Sequence, residues 1–385
     1  MPVIVVVLFC HFLTAFTALG MPLFMPRMLS SLGAGHADYL IGIMFVVPAV
    51  CTAFSAPWWG RFADSYGKKN SLLRAQLGLT LGFLISGFAD SLGVFSFGLV
   101  LQGISGGTLA ASNAYLSSTY KGPSLAKSLN LTQFSARLAL VSAPVLLGFF
   151  TAAEQPLLIY RYLALLPFSA LLLSFLLPRD AATAAAGVNS TEKPAQNRQF
   201  SQLLYLQFLF CFAMVVTFPY FLPYVQSLGE SRDTMAGLYY SLPHLVYLLL
   251  AFYLAKLTLS ARLQSLSGFV ILGTACAGQF LLHSIDGLIV YRLMFGLGML
   301  LSYSGLHLFL SERLQQEQAG LSFGRFDAWG KWAGVSAGLA AGLVSQHFSL
   351  HWPFLLAAAA CTSAVFILVF HDKESFGYVN STTES

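Results

Sequence analysis

Long apolar runs, each about the length of a bilayer crossing, follow one another through almost the whole chain. A helix needs roughly 20 residues to cross ~30 Å of hydrocarbon. Runs of that order lie near residues 3–26, 39–59, 71–89, 92–118, 126–150 and 157–178, then 201–224, 235–257, 264–283, 287–311, 322–346 and 352–370. In lipid every backbone polar group must be satisfied within the protein, so only helices and closed barrels cross. Runs this long read as helices, and the expected fold is an all-α polytopic membrane protein of twelve transmembrane helices. Charged residues make up 9% of the chain, against roughly 25% in soluble domains, so lipid is an expected partner. The first run has no basic residue before it and passes into "MPLFMPRM" without a small-residue cleavage site, which reads as a retained helix rather than a signal peptide.

One long polar stretch interrupts the series, "PRDAATAAAGVNSTEKPAQNRQF" at residues 178–200. Its Pro, Ala, Asn and Ser content reads as a linker. The expected organisation is a six-helix half over 1–178, a cytoplasmic linker over 179–200, a second six-helix half over 201–371 and a short tail over 372–385. Lys68, Lys69, Arg74, Lys121, Lys127, Arg179, Lys193, Arg198 and Arg262 fall in loops or helix ends on the linker side, while Arg27, Arg161, Arg232 and Arg292 fall on the other. The positive-inside rule then places both termini in the cytoplasm. The net charge of +5 is a topology signal, and no basic cluster calls for a nucleic acid. Five cysteines stand singly in apolar runs, without the spacing of a metal site or disulfide framework. No nucleophile, metal or phosphate-loop constellation points to an enzyme, and no cofactor is expected.

The second half rereads the first. "PLFMPRMLSSLGAGHADYLIGIMFVVP" aligns with "PYFLPYVQSLGESRDTMAGLYYSLP", which sets Pro22 on Pro219, Pro26 on Pro223, Gly33 on Gly229, Gly42 on Gly237 and Pro48 on Pro243. Further on, Gly103 meets Gly296, Ala143 meets Ala337 and Gly148 meets Gly342. Internal repeats of this kind mark transporters, with the substrate site between the repeats near the midplane. In this register Arg137 falls on Lys331, so each fifth helix carries a cation at corresponding depth.

After the second helix comes "GRFADSYGKKNSL". It resembles the loop signature of the major facilitator superfamily, Gly-x-Leu-Ala-Asp-Arg-x-Gly-Arg-Lys, through Gly60, Ala63, Asp64, Gly67, Lys68 and Lys69; Phe62 and Ser65 depart. The resemblance implies two pseudo-symmetric six-helix halves and a gate here. In that gate Asp64 ties helix ends together, Gly60 and Gly67 allow close approach, and Arg61 adds charge. A solvated basic loop that only sets topology is the competing reading. "SAPVLLG" resembles the fifth-helix signature of the superfamily's exporter branch, with Ala139, Ala143, Pro144 and Gly148 in place and Ala where Gly is expected. Small residues at this spacing let helices pack closely, and proline permits bending. The family's arginine four residues before Gly103 is replaced by Leu99, whose mate is Arg292.

The resemblance implies that Arg137 and Lys331 face a central cavity from opposite sides. A cation deep in a membrane helix costs at least ~3 kcal/mol and is functional by default. Two such cations suggest a small anionic organic substrate, with Gln133, Asn113 and Tyr303 as orienting partners. The alternative for Lys331 is a local ion pair with Asp327 at i, i+4 spacing. Asp327 and His307 are the candidates for proton coupling, ahead of His11 and His244. Pro22 and Pro219 are candidate bending points. The chain reads as a monomeric exporter in a bacterial inner membrane, coupled to protons, with some likeness to carboxylate-siderophore exporters. An importer of an organic anion, sugar or siderophore, and a transport-silent sensor, are the alternatives.

Overall fold

The computed structural model describes residues 3–33, 38–120, 122–151, 156–179, 198–254, 259–312 and 319–370. Most of the linker and the whole tail lie outside these residues, as do Lys121 and Lys193. The described residues form twelve helical segments. The first is a helix over Val3–Gly20, a 3-10 turn over Met21–Phe24 and a short helix over Met25–Ser31. The second and third are Asp38–Tyr66 and Lys68–Gly87. The fourth is broken into Leu92–Ile104 and Thr108–Thr119, where the Gly106-Gly107 pair interrupts a run that reads as continuous in sequence. The fifth is Gly122–Thr151, and the sixth combines Leu158–Leu163 with Leu165–Ser174. The seventh bends by 51° between Arg198–Val216 and Phe221–Ser227. The eighth to twelfth are Asp233–Leu254, Ala261–Leu281, Leu288–Glu312, Ala319–His347 and Trp352–Phe370.

By length and apolarity alone, seven of these segments cross a membrane, or eight if the bent seventh counts as one. The others pass less easily for identifiable reasons. The third opens on Lys68 and Lys69 and buries Ser71, Gln76, Thr80 and Ser86, while the ninth buries Gln264, Ser265 and Gln279. Their polar groups face protein rather than lipid, which is where such groups are tolerated. The sixth is short, and the eleventh carries Arg325, Asp327 and Lys331.

Aligned positions of the two halves hold the same geometry. Gly33 and Gly229 both follow a short helix with positive φ, +74° and +98°, a conformation that glycine enters without steric cost. A Cβ on Gly103 would meet Pro48 at 2.6 Å, and one on Gly296 would meet Pro243 at 2.7 Å. Pro22 sits in the 3-10 turn of the first segment, and Pro219 sits at the bend of the seventh. Each half therefore breaks its first helix at the same place.

The halves meet through swapped pairs of helices. A Cβ on Gly237 of the eighth segment would lie 2.1 Å from the Pro144 carbonyl oxygen of the fifth, and one on Gly42 of the second would lie 2.5 Å from the Gly338 carbonyl oxygen of the eleventh. Gly148 packs with the same intimacy on Asp233 and Thr234. Ala143 lies against Gly20, binding the first helix to the fifth. All these contacts lie toward the end of the bundle remote from the linker, here called the far end. There the Gly42 amide donates to the Tyr220 hydroxyl at 3.0 Å, and the Ser241 hydroxyl donates to the Val141 carbonyl at 2.9 Å. Arg27 grips the buried Asp233 carboxylate with Nε at 2.9 Å and Nη2 at 2.8 Å, and Gln226 adds a third donor. In the adjoining loop, hydrogen bonds from Arg232 hold the Glu230 carboxyl at a pKa of about 2. Toward the linker end the second and eleventh segments instead expose Phe54, Trp58, Tyr66, Trp329 and Trp332. Among the described residues the close backbone contacts between the halves lie at the far end, which is closed, while these aromatic side chains stay uncovered toward the linker.

Candidate functional site: a cationic centre between the halves

Arg137 lies midway along the 30-residue fifth segment. The half-buried guanidinium crosses to the other half. Its Nη1 is 3.2 Å from His244 Nδ1 on the eighth segment and 3.7 Å from the Met299 sulfur on the tenth. Its carbon stands 4.4 Å over the Tyr247 ring and 5.7 Å from the Tyr303 ring. Such cation–π contacts hold a guanidinium without neutralising it. Guanidinium has donors only, so His244 Nδ1 accepts and the ring proton belongs on Nε2. Among the described residues no carboxylate lies within 4.0 Å of Arg137, and Nε and Nη2 hydrogen-bond to none of them.

The repeat mate of Arg137 behaves differently. Lys331 pairs with Asp327 at 2.8 Å on its own helix, and both side chains are more than half exposed. The next residue back, Gly330, abuts Cys211 and Gln207 of the seventh segment. The corresponding cations thus occupy different states, one reaching across the interface and one paired locally.

Of the expected orienting residues, Tyr303 lies beside Arg137 and stacks on His307 with ring centres 3.9 Å apart. His307 Nδ1 bonds the Tyr303 carbonyl at 2.9 Å, and its ring meets Phe326 edge-on. Gln133, one turn before Arg137, is exposed. Asn113 accepts from the Thr132 hydroxyl at 2.9 Å, joining the fourth and fifth segments. Tyr247 and Met299 are contacts that sequence reasoning missed, and His244, named there only as a lesser candidate for proton coupling, proves to be the partner of Arg137. A histidine next to Pro243 in an apolar helix was the available signal.

Arg292 is 2% exposed and makes no ion pair within the described residues. Its Nε donates to the Tyr239 carbonyl at 3.0 Å and its Nη2 to the Tyr240 carbonyl at 3.1 Å. Proline at 243 has no N–H for the carbonyl four residues earlier, and Arg292 supplies the missing donor to Tyr239. The rings of Phe221 and Phe295 lie 4.4 and 4.9 Å from its guanidinium carbon. In the first half, Leu99 fills the equivalent place and is buried.

The stretch expected as a loop is helical through Tyr66, and there Asp64, in the last turn of the second segment, pairs with Lys68 at the start of the third rather than with a distant helix. Lys69 donates to the Phe175 carbonyl at 2.8 Å and also to that of Leu177, fastening the third segment to the end of the sixth. Arg61 reaches the Pro57 carbonyl at 3.5 Å. The expected close approach at Gly60 does not occur in this conformation, since nothing lies within 4 Å of a Cβ placed there. Gly67 is required for another reason, the turn at φ +95°.

Twelve segments in two related halves, with a cationic centre between them and one end closed, define a secondary membrane transporter. Residues 7–287 match the Major Facilitator Superfamily, well over half of the chain, and the protein belongs to that family. It is 28% identical over 141 residues to the class B tetracycline resistance protein of Escherichia coli, a match covering 36% of this chain and 35% of that protein. It is 34% identical over 110 residues to the multidrug resistance protein MdtG of Enterobacter lignolyticus strain SCF1, covering 28% and 26%. The matches thus span about a third and a quarter of these relatives. Among solved structures the fold resembles the nucleoside transporter NupG, with TM-score 0.75, 12% identity and coverage of 95% and 99%. It also resembles the human organic anion transporter MFSD10, with TM-score 0.71, 18% identity and coverage of 96% and 100%. At such identities these two resemblances speak for the fold alone.

Proposed function

We propose that this protein exports a small organic anion from the cytoplasm by alternating access, with Arg137 as the central anion-binding side chain. The observation that carries the proposal is the unneutralised guanidinium midway across the bundle, with Nε and Nη2 unengaged by the described residues. Those two donors form the edge that grips a carboxylate or phosphate with parallel hydrogen bonds. The basic surplus on the linker side makes that side cytoplasmic, so the described conformation is closed outward. The anion enters from the linker end and meets Arg137, Tyr303 and Gln133. The outer end then opens as the Gly42, Gly237 and Arg27–Asp233 contacts part. The fifth-helix pattern and the drug-resistance relatives support efflux, and a carboxylate siderophore is one member of the proposed class. An interior-negative potential also favours departure of an anion, by ~2.3 kcal/mol per charge per 100 mV.

His244 favours a second reading. A proton on its Nδ1 would remove the acceptor that Arg137 uses and add positive charge beside it, so protonation and anion binding assist each other. That relation suits import of an anion together with a proton. Comparing cytoplasm and medium between cells lacking and cells overproducing the protein separates the readings. Export predicts an organic anion that builds up inside the deletion strain and is missing from its medium. An anion that stays in the medium while the deletion strain is depleted of it overturns export in favour of import. Identical metabolite profiles overturn both.

A further inference from the structure

At the far end of the second half, two histidines from different loops come together, away from the cationic centre. His283 lies in the loop between the ninth and tenth segments, and His351 in the loop between the eleventh and twelfth. Their rings are nearly parallel, at 28°, with centres 6.1 Å apart. His283 is exposed and His351 is half-buried. The His351 ring meets Tyr224 of the seventh segment edge-on at 5.2 Å.

Each imidazole spends one ring nitrogen on the backbone. His283 Nδ1 is 2.8 Å from the Leu281 carbonyl oxygen, and His351 Nε2 is 3.0 Å from that of Leu282. A carbonyl only accepts, so these nitrogens carry the protons, and the neutral rings keep their lone pairs on His283 Nε2 and His351 Nδ1. Among the described residues no hydrogen bond occupies either of those atoms. The donated protons cap the end of the ninth helix, whose last carbonyls lack partners within the helix. Capping does not use the two lone pairs. A ring N–H given to a backbone carbonyl is also the usual support of a metal-bound histidine, because it fixes the tautomer and orients the other nitrogen. The negative end of the 21-residue ninth helix and the Asp286 carboxylate in the same loop favour a cation here.

From this pairing we propose that His283 Nε2 and His351 Nδ1 bind one divalent transition-metal ion, of the zinc and copper class, at the far end. Metal–nitrogen bonds of ~2.0–2.1 Å set each imidazole centre about 3.2 Å from a shared ion, so two centres stand ~5 Å apart at a tetrahedral angle and ~6.4 Å apart in a line. The observed 6.1 Å falls within that span. Imidazole suits zinc, copper and nickel, whereas magnesium and calcium take oxygen ligands. The described residues gather no group of three or more His, Cys, Asp or Glu side chains fit to hold a metal, so water completes the coordination of a two-histidine site. The ion would tie the loop after the ninth helix to the loop before the twelfth, against Tyr224 in the short helix beyond the bend of the seventh.

The test is calorimetric titration of the full chain, purified in detergent without a polyhistidine tag, with zinc chloride in a non-chelating buffer, joined to electron paramagnetic resonance of the copper(II)-loaded protein. The expected result is one zinc site whose affinity falls about tenfold or more in His283→Ala and in His351→Ala, at least the loss that follows removal of a supporting group. Affinity should be unchanged in His347→Ala, an exposed histidine at the end of the eleventh segment. Nitrogen hyperfine structure on copper should report two imidazoles in wild type and one in each of the first two variants. Zinc binding that is absent up to millimolar concentration overturns the site, as does equal zinc affinity in wild type and His283→Ala. A loss confined to His347→Ala, or a copper signal identical in wild type and both variants, overturns it too. Should His351→Ala fail to fold, His283→Gln, at an exposed side chain, still has to lower zinc affinity about tenfold; an unaltered affinity in that variant overturns the proposal as well.

Discussion

Replacing Gly237 by alanine tests how the far end closes. The added Cβ would stand 2.1 Å from the Pro144 carbonyl oxygen and 3.0 Å from the Val145 nitrogen. Both are backbone atoms of a packed helix, so neither can rotate aside, and the fifth and eighth segments must separate by roughly 1 Å to restore contact distance. Overpacking of this kind costs about 1–3 kcal/mol. The cost falls on the closed far end and is absent once the helices part, so the equilibrium moves toward far-end opening by roughly 5–150-fold. Gly42→Ala, against the Gly338 carbonyl oxygen at 2.5 Å, should act in the same sense. Gly60→Ala, with open space around it, is the control. The assay is the distance between spin labels at Ser31 and Ser227, exposed positions on the two sides of the far end. The account predicts a larger long-distance population in Gly237→Ala and Gly42→Ala and none added in Gly60→Ala. Unchanged distances in Gly237→Ala at full expression would refute the reasoning that these glycines seal the far end.

Three further outcomes are expected. Arg292→Met strands the Tyr239 and Tyr240 carbonyls and should lower stability by about 1–3 kcal/mol, seen as a lower thermal midpoint in detergent; an unshifted midpoint would show that Arg292 does not support the Pro243 break. Arg27→Gln leaves Asp233 without its bidentate partner and should favour far-end opening by about 1–3 kcal/mol, reduced from a fully buried pair by the partial exposure of Arg27. Adding Asp233→Asn should recover part of that loss in a double-mutant cycle. The Glu230 carboxyl, held at about 2, lends stability at pH values above its ordinary range and loses it as pH falls toward 2. The difference in thermal midpoint between wild type and Glu230→Gln should therefore stay constant from pH 7 to 5 and narrow only in stronger acid.

Much of the architecture was legible because the repeat is written in residues with few substitutes. Gly33 and Gly229 hold the same left-handed turn, Gly103 and Gly296 pack on Pro48 and Pro243, and Gly42 and Gly237 receive carbonyls from the opposite half. The Lys331–Asp327 pair was also open to reading, since helical spacing alone brings the groups together. What escaped was anything set by packing between distant helices. Arg137 meets His244 across 107 positions, and no local pattern reports which face of the fifth helix turns toward the eighth. The break in the fourth segment was hidden inside an apolar run, because Gly106 and Gly107 weaken a helix without making it polar. The role of Gly60 and Asp64 depends on which end is closed, and that is a property of the conformational equilibrium.

The most direct measurement of the central claim is export by Arg137→Ala, produced at wild-type level in cells lacking the native protein, with the cytoplasmic and external amounts of the anion that the wild type expels. The account predicts that the variant inserts and folds as the wild type does, yet leaves the anion inside the cells as the deletion does. Export at the wild-type rate would contradict it.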